Sequence, residues 1–437
     1  MKAYSSYKDS GTEWLGKIPE LWETRKIKYL FRIQKRIAGQ EGHQVLSITQ
    51  EGIKVKDIES GEGQLAMDYS KYQFANIGDF AMNHMDLLTG YVDISKFNGV
   101  VSPDYRVFTL EDKDSSDKYY LYIFQLGYKN KIFFALGQGS SQLGRWRFPR
   151  EEFCDFQLPY PSLPEQQTIA AFLEQKTSKI DKLVSIKKKQ IELLKKKRAS
   201  IINEVVTKGL NCNIKMKDSG IDWLDEIPEH WNVNKFNRIA FFQEGPGLRH
   251  WQFTSTGIKV ICVTNIVPPK IDFSSYTKYI SEKDYLDNYQ HFTVRNGDLL
   301  LASSGASWGK VSTYQDNDVV ILNTSTIRLN SISNELVDKN LIKWIIQSDY
   351  INAQLGLLLT GSCQPNFGPS HLKQLKCVYP ANIKEQKAIA DYLDAQTAKI
   401  EKSISDAENQ IELLKEYRIA LISEAVTGKI DVREKIS

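Results

Sequence analysis

Two stretches of the chain carry apolar residues at alternating steps of three and four. From Leu173, positions 173, 177, 180, 184, 187, 191, 194, 198, 201 and 205 read L, T, I, V, K, I, L, R, I, V, and the positions 220 residues further on read L, T, I, I, A, I, L, R, L, A. A seam held over four heptads predicts a coiled coil, because a repeat of about 3.5 residues keeps one stripe facing a partner helix. The stretches 165–207 and 385–427 each hold 43 residues without Pro or Gly and lie between Pro164 and Gly209 and between Pro380 and Gly428. These are helix start and stop signals. At about 1.5 Å per residue each helix measures about 64 Å. Leu173, Ile180, Ile191 and Leu194 on the first helix, and Leu393, Ile400, Ile411 and Leu414 on the second, are the expected residues of helix pairing and partner docking. Ten Lys/Arg against five Asp/Glu on the first helix, and five against nine on the second, favour pairing of the two with each other. Since the second helix starts where the second globular half ends, the pair is expected to be antiparallel.

Between the helices the pattern changes to short β-branched runs bounded by Gly, Asn, Asp or Ser: HQVLSIT, DYRVFTL, KIFFAL, GIKVICVTNI, GDLLLA and DVVILNTSTIRL read as strands. DKYYLYIFQLG and NLIKWIIQSDYINAQL read as helices. The expected class is α+β. Two related mixed α/β domains, 1–160 and 211–380, are joined by two long antiparallel helices, 161–210 and 381–437 with its tail, which form a coiled-coil spacer. The domains are expected at opposite ends of that rod, related by a pseudo-two-fold axis, with the tail after Thr427 returning to the first.

The halves are written in one grammar. KDSGTEWLGKIPELW (8–22) recurs as KDSGIDWLDEIPEHW (217–231), identical at ten of fifteen positions, so that Trp14, Ile18, Pro19 and Trp22 face Trp223, Ile227, Pro228 and Trp231. With few basic groups, this segment reads as a structural lead-in whose Trp residues are packing anchors. Further on the offset grows from 209 to 219, setting Asn76–Phe80 against Arg295–Leu299 and Val100-Val101 against Val319-Val320.

Composition narrows the class without naming it. The 437 residues are 41% apolar, 11% aromatic and 25% charged, which excludes disordered, collagenous and membrane chains. No apolar run reaches the roughly 18 residues of a membrane span and the start lacks a signal-peptide core, so a cytoplasmic location is expected. Five scattered Cys without a CxxC pair point to neither disulfides nor zinc. The net charge of +4 is too small to identify a polyanion partner by itself.

A rod carrying two similar readers suits a partner that is itself a repeating rod, and double-stranded DNA is the obvious one. The paired lead-ins, the EQQTIAAFL and EQKAIADYL helix openings, NHMDLLTGYVDISKFNGVVSPDYRVF in the first half, and EGPGLR, SSGASWGKV and GSCQPNFGPSHLKQLK in the second together resemble the specificity subunits of type I restriction-modification systems along essentially the whole chain. The resemblance implies a non-catalytic subunit that the site-specific endonuclease and adenine methyltransferase activities of its complex require. Each half would read one part of a bipartite, asymmetric DNA target, with the helices setting the spacing. Two methyltransferase subunits would dock on it, and further two restriction subunits. No cofactor would be bound by this chain; S-adenosylmethionine, ATP and Mg2+ would enter through the partners.

DNA-contact candidates are Gln142, Arg145 and Arg147 in GQGSSQLGRWRFPR, Arg249 in EGPGLRHW, Lys310 in GASWGK, and Gln364 and Asn366 in GSCQPNFGPS. Arg, Lys, Asn and Gln are the side chains that hold phosphates or read base edges. The basic runs 187–189 and 195–198 read as a solvated helix face. Two alternatives are weighed. A magnesium-dependent nuclease would use Asp104, Glu111 and Lys113, which face Asn323, Asn330 and Ile332 in the other half. A structural coiled coil would tether proteins instead of DNA. GASWGKV is one residue short of a phosphate loop, and no Gly-rich nucleotide fingerprint follows a strand.

Overall fold

The computed structural model describes residues 2–58, 66–139, 146–359 and 366–433. Gln142, Arg145 and Gln364 lie outside them. The chain divides into two units, residues 1–188 with 408–437, and residues 189–407.

Each unit is built on a four-stranded antiparallel sheet. In the first, β1 (Phe31–Gln34), β2 (Phe80–Met82), β3 (Val92–Ile94) and β4 (Arg106–Leu110) lie in the order β1-β4-β2-β3. In the second, β5 (Ala240–Glu244), β6 (Leu299–Ala302), β7 (Val311–Thr313) and β8 (Thr326–Ser331) repeat that order as β5-β8-β6-β7. The first sheet packs on helix α1 (Asp117–Lys129) through rings: Phe80 stacks on Phe108 at 5.1 Å, and Phe124 meets Phe108 edge-on at 5.2 Å. In the second, Leu299, Leu301, Ile327 and Leu329 pack with Leu341, Ile342 and Ile345 of α3 (Lys339–Ile345).

Pairing corrects the alignment of the halves. Phe80 lies opposite Phe108 and Leu299 opposite Leu329, so the second unit has gained two more residues before β8. Asp104 therefore matches Ser325, Glu111 matches Ile332, and Lys113 matches Asn334. Other elements depart from the sequence pattern. KIFFAL is the helix Ile132–Ala135, not a strand, because Phe133 turns into the aromatic core against Phe148 at 5.0 Å and Phe156 at 5.3 Å. DVVILNTSTIRL divides into Val320–Leu322 and β8. The long helical run of the second half breaks after α3 and resumes as Asp349–Leu358. Phe133 also explains a glycine inside α1: a Cβ on Gly127 would lie 2.2 Å from its ring. Gly127→Ala is expected to cost about 1–3 kcal/mol through overpacking, read as a lower denaturant midpoint.

The lead-in sentence has a structural role in both units. It forms a hairpin, Tyr7–Asp9 with Lys17–Pro19 and Met216–Ile221 with Leu224–Pro228. The chain then runs into Glu23–Lys26 or Trp231–Lys235, each paired with the strand that immediately precedes a long helix, Gln157–Tyr160 or Lys376–Pro380. Trp14 stacks on Phe156 at 5.3 Å and donates to Gln157 O at 3.1 Å. Trp22 and Trp231 are buried, and Trp231 donates to Glu385 Oε1 at 3.0 Å. Trp223 departs from its counterpart and stays half exposed.

The long helices are α2 (Leu163–Lys208) and α4 (Ile383–Val426). Each opens on a Gln buried to 0% exposure. Gln166 accepts from Ser116 N at 2.8 Å and donates to Pro161 O at 2.9 Å; Gln386 accepts from Asp338 N at 2.7 Å and donates to Pro380 O at 2.8 Å and Leu336 O at 3.0 Å. One amide thus ties the helix start to the preceding strand and to the N-terminus of α1 or α3. The ends are glycine stops in the left-handed region, Gly209 at φ +75° and Gly428 at φ +71°. Beyond Gly428 the tail joins the first unit, with Ile430 and Val432 in its core and Asp431 N donating to Lys2 O at 2.9 Å.

Helix pairing is antiparallel in each unit. Within the first, Arg418 binds Asp181 at 3.0 Å; within the second, Arg198 binds Glu401 at 3.0 Å. Seventeen residues separate Asp181 from Arg198 and seventeen separate Glu401 from Arg418, so both pairs obey one register. Leu173, Ile180, Ile191, Leu393, Ile400 and Ile411 are buried, and Leu194 and Leu414 are partly buried. In the basic runs Lys188, Lys189, Lys195, Lys196 and Lys197 are exposed.

Candidate nucleic-acid interface

In each sheet one end gathers the loops that carry candidate residues. Antiparallel pairing sets Gln34 opposite Val107, and Met82 opposite both Arg106 and Val92, so β1 and β2 end where β3 and β4 begin. The second unit does the same: Glu244 faces Ile327, Ala302 faces Thr326, and Leu301 faces Val311. A later segment closes the same end in both. Phe148 N donates to His84 O at 2.8 Å, and Phe367 N donates to Ser303 O at 3.2 Å.

Four of the sequence candidates fall among the described residues, and all four lie at these ends. Arg147 is exposed and precedes the buried Phe148; its N–H and C=O both bond Gln138 at 2.9 Å. Asn366 holds the matching position before buried Phe367, is exposed, and accepts from Ser303 Oγ at 3.5 Å. Lys310 is exposed on the β6–β7 connection, where its carbonyl accepts from Ala302 N at 2.9 Å. Arg249 is exposed on the loop after β5, its N–H donating to Gln252 Oε1 at 2.8 Å.

Residues that the sequence pattern did not single out complete the two ends, and they differ in chemistry. The first unit adds His84 and Arg106, 7% and 6% exposed. Arg106 Nη2 donates to Phe148 O at 3.0 Å, and the guanidinium lies 4.5 Å from the Phe153 ring centre. Burial pushes the Arg106 pKa down to about 10. The second unit adds hydroxyls and a carboxylate instead. Ser303 Oγ donates to Ser325 O at 3.1 Å, Glu244 Oε1 accepts from Ser325 N at 3.1 Å, and Ser325 holds φ +62°, a strained angle for a residue with a Cβ. Nothing in the local periodicity marks these positions, because they meet only when separate strands pair.

His84 makes the first end sensitive to acid. Burial, then the nearby charges of Arg106 and Arg147, push its pKa down to about 3. An unfolded His titrates near about 6.5. Between those values the unfolded chain binds the extra proton, so stability falls as pH falls, by up to about 1.4 kcal/mol per pH unit. His84→Gln should remove that slope, which denaturant melts at successive pH values between about 7 and 4 will read.

Asp104 and Glu111 are exposed, and among the described residues no three His, Cys, Asp or Glu side chains gather as a metal donor set. Among the same residues no helix is long and apolar enough to cross a membrane.

Comparison with known proteins agrees with this geometry. The type I restriction modification DNA specificity domain matches twice, at residues 19–195 and 228–413. The specificity subunit of the type I restriction enzyme MjaVIII of Methanocaldococcus jannaschii is 26% identical over 435 residues, covering 95% of either chain. A putative MjaX specificity subunit of the same organism is 24% identical over 96% of each. Among solved structures, a chain from a study of assembly and conformational transition of the type I R-M system superposes with a TM-score of 0.69, at 12% identity, over 94% of this chain and 99% of that one. The HsdS subunit of Thermoanaerobacter tengcongensis gives 0.51, also at 12% identity, over 94% and 98%.

Proposed function

Because the chain belongs to the type I restriction modification DNA specificity family and is the specificity subunit of such a system, we propose that its two units each read one part of a bipartite, asymmetric duplex target. The observation that carries this reading is the shared sheet end. One topology presents Arg147 in the first unit, with His84 and Arg106 buried at the same end, and Arg249, Lys310 and Asn366 in the second. Guanidinium and ammonium groups hold phosphates and guanine edges, while amides suit adenine. Two unlike sets on like scaffolds favour two unlike half-sites. Gln142, Arg145 and Gln364, outside the described residues, stay candidates on residue type alone.

The paired helices set the distance between the half-sites and carry the docking surface for two methyltransferase subunits, with two restriction subunits joining the complex. Leu193 and Leu413, equivalent in the repeat and 66% and 64% exposed, support such a surface, as do Ile186 and Tyr417, each 50% exposed. The chain itself transfers no methyl group and cuts no strand. It is required for the adenine methylation and site-specific cleavage performed by its partners, which bring S-adenosylmethionine, ATP and Mg2+ in the cytoplasm.

A single-molecule map of methylated bases, with this gene intact and deleted, tests the reading. A bipartite asymmetric motif that disappears on deletion is the expected result. A purified complex with the methyltransferase subunits that selects no sequence from random duplexes would overturn it.

A further inference from the structure

One large aromatic side chain of the second unit stands in water on a loop that is held in place. Trp251 is 78% exposed. On either side of it, Leu248 and Phe253 pack against the cluster of Val260, Ile280 and Ile321. The residues between these anchors form a closed turn: Arg249 N donates to Gln252 Oε1 at 2.8 Å, and Gln252 N donates to Arg249 O at 2.9 Å. Gln252 Nε2 then reaches Tyr289 OH at 2.7 Å, and Lys278 Nζ lies 4.2 Å from the Phe253 ring centre. At the root, Pro246 O accepts from Thr324 N at 3.1 Å, which ties the loop to the sheet end that holds Asn366 and Lys310. The indole is therefore displayed by a fixed turn, directly after exposed Arg249 and His250.

Water is a poor solvent for an indole, and Trp is among the side chains that gain most from a flat apolar partner. Beside two basic groups, at a sheet end read as a DNA interface, the flat partner available is a nucleobase. We propose that Trp251 stacks on a base of the half-site read by the second unit, opening the stack there, while Arg249 and His250 hold the flanking phosphates. This rests on the reading of the chain as a DNA specificity subunit. The corresponding loop of the first unit, residues 35–45, contains no Trp, Tyr or Phe. Opening by an aromatic wedge of this chain is thus confined to one half-site, and the two units recognise DNA by different mechanics as well as different bases.

The test uses the complex with its methyltransferase subunits and duplexes of the mapped motif, with 2-aminopurine placed in turn at each adenine of both half-sites except the methylated ones, which the methyltransferase subunits themselves turn out of the stack. Wild-type complex should raise the fluorescence at positions in one half-site only. Trp251→Ala should abolish that rise and weaken specific binding roughly 5- to 150-fold, the range of a lost base–aromatic stack. Trp251→Phe should keep part of both. Because the side chain is exposed, the variants should melt with the wild type. Trp251→Ala that binds the motif as tightly as wild type, with the fluorescence rise intact, overturns the proposal. So does a Trp251→Ala chain that binds DNA normally once assembled but assembles poorly, since that places the indole at a protein interface. Wild-type complex that does not prefer the motif to random duplex overturns the parent reading instead.

Discussion

Removing one heptad from each long helix should shorten the unread spacer of the DNA target by about three base pairs and leave the bases of both half-sites unchanged. The argument starts from the register. Asp181–Arg418 and Arg198–Glu401 obey one antiparallel alignment, so residues 182–188 on α2 lie opposite 411–417 on α4, inside both ion pairs. Seven residues make nearly two turns, so the seam keeps its phase and the ion pairs their partners. The lost length is about 10 Å, against about 3.4 Å per base pair. Deleting the heptad from one helix alone should instead leave buried seam residues facing the wrong neighbours and yield little folded protein. The methylated-base map of a strain carrying the double deletion reads the result. A motif with the original spacer would show that the helices do not set the distance.

Gln386→Leu should destabilise the second unit by about 3–5 kcal/mol, although it replaces a polar side chain by an apolar one of similar size. At 0% exposure the amide is bonded to Asp338 N, Leu336 O and Pro380 O. Leucine would leave these three backbone groups buried and unpaired, and each loses roughly 1–3 kcal/mol of compensation, offset in part by the apolar gain. Gln166→Leu should do the same in the first unit by releasing Ser116 N and Pro161 O. The double variant should show near-additive losses, because the two amides share no partner. Denaturant titration of the single and double variants measures this. A Gln386→Leu chain within about 0.5 kcal/mol of wild type would reduce the Gln to a bystander of the helix start.

Several features were legible before any coordinate. The heptad seam, the flanking Pro and Gly, and the duplicated lead-in announced two long helices and two related halves, and the long helices α2 and α4 match. The errors have identifiable causes. KIFFAL has the composition of a strand, yet an aromatic core waiting beside α1 makes it a short helix. The two-residue slip before β8 is invisible in a gapless alignment, because the turns Ser102–Tyr105 and Asn323–Thr326 close alike whatever precedes them. A single Trp in a loop, as at Trp251, has no period that would mark it in the sequence.

What the sequence determined by itself is therefore what short-range pattern can encode: the repeat, the two helices with their ends, the pairing seam and the α+β class. Hydrophobic periodicity and backbone stops act within a few turns, and a linear reading captures them. The tertiary structure alone decided which side chains meet. Ser303 and Asn366 are 63 residues apart in the chain and become neighbours through strand pairing. Arg106 finds its carbonyl on Phe148 42 residues away, and Trp251 is held outward by Leu248 and Phe253 only because strands from distant parts of the chain build the cluster beneath them. Such meetings depend on sheet register, a long-range property that no window of sequence contains.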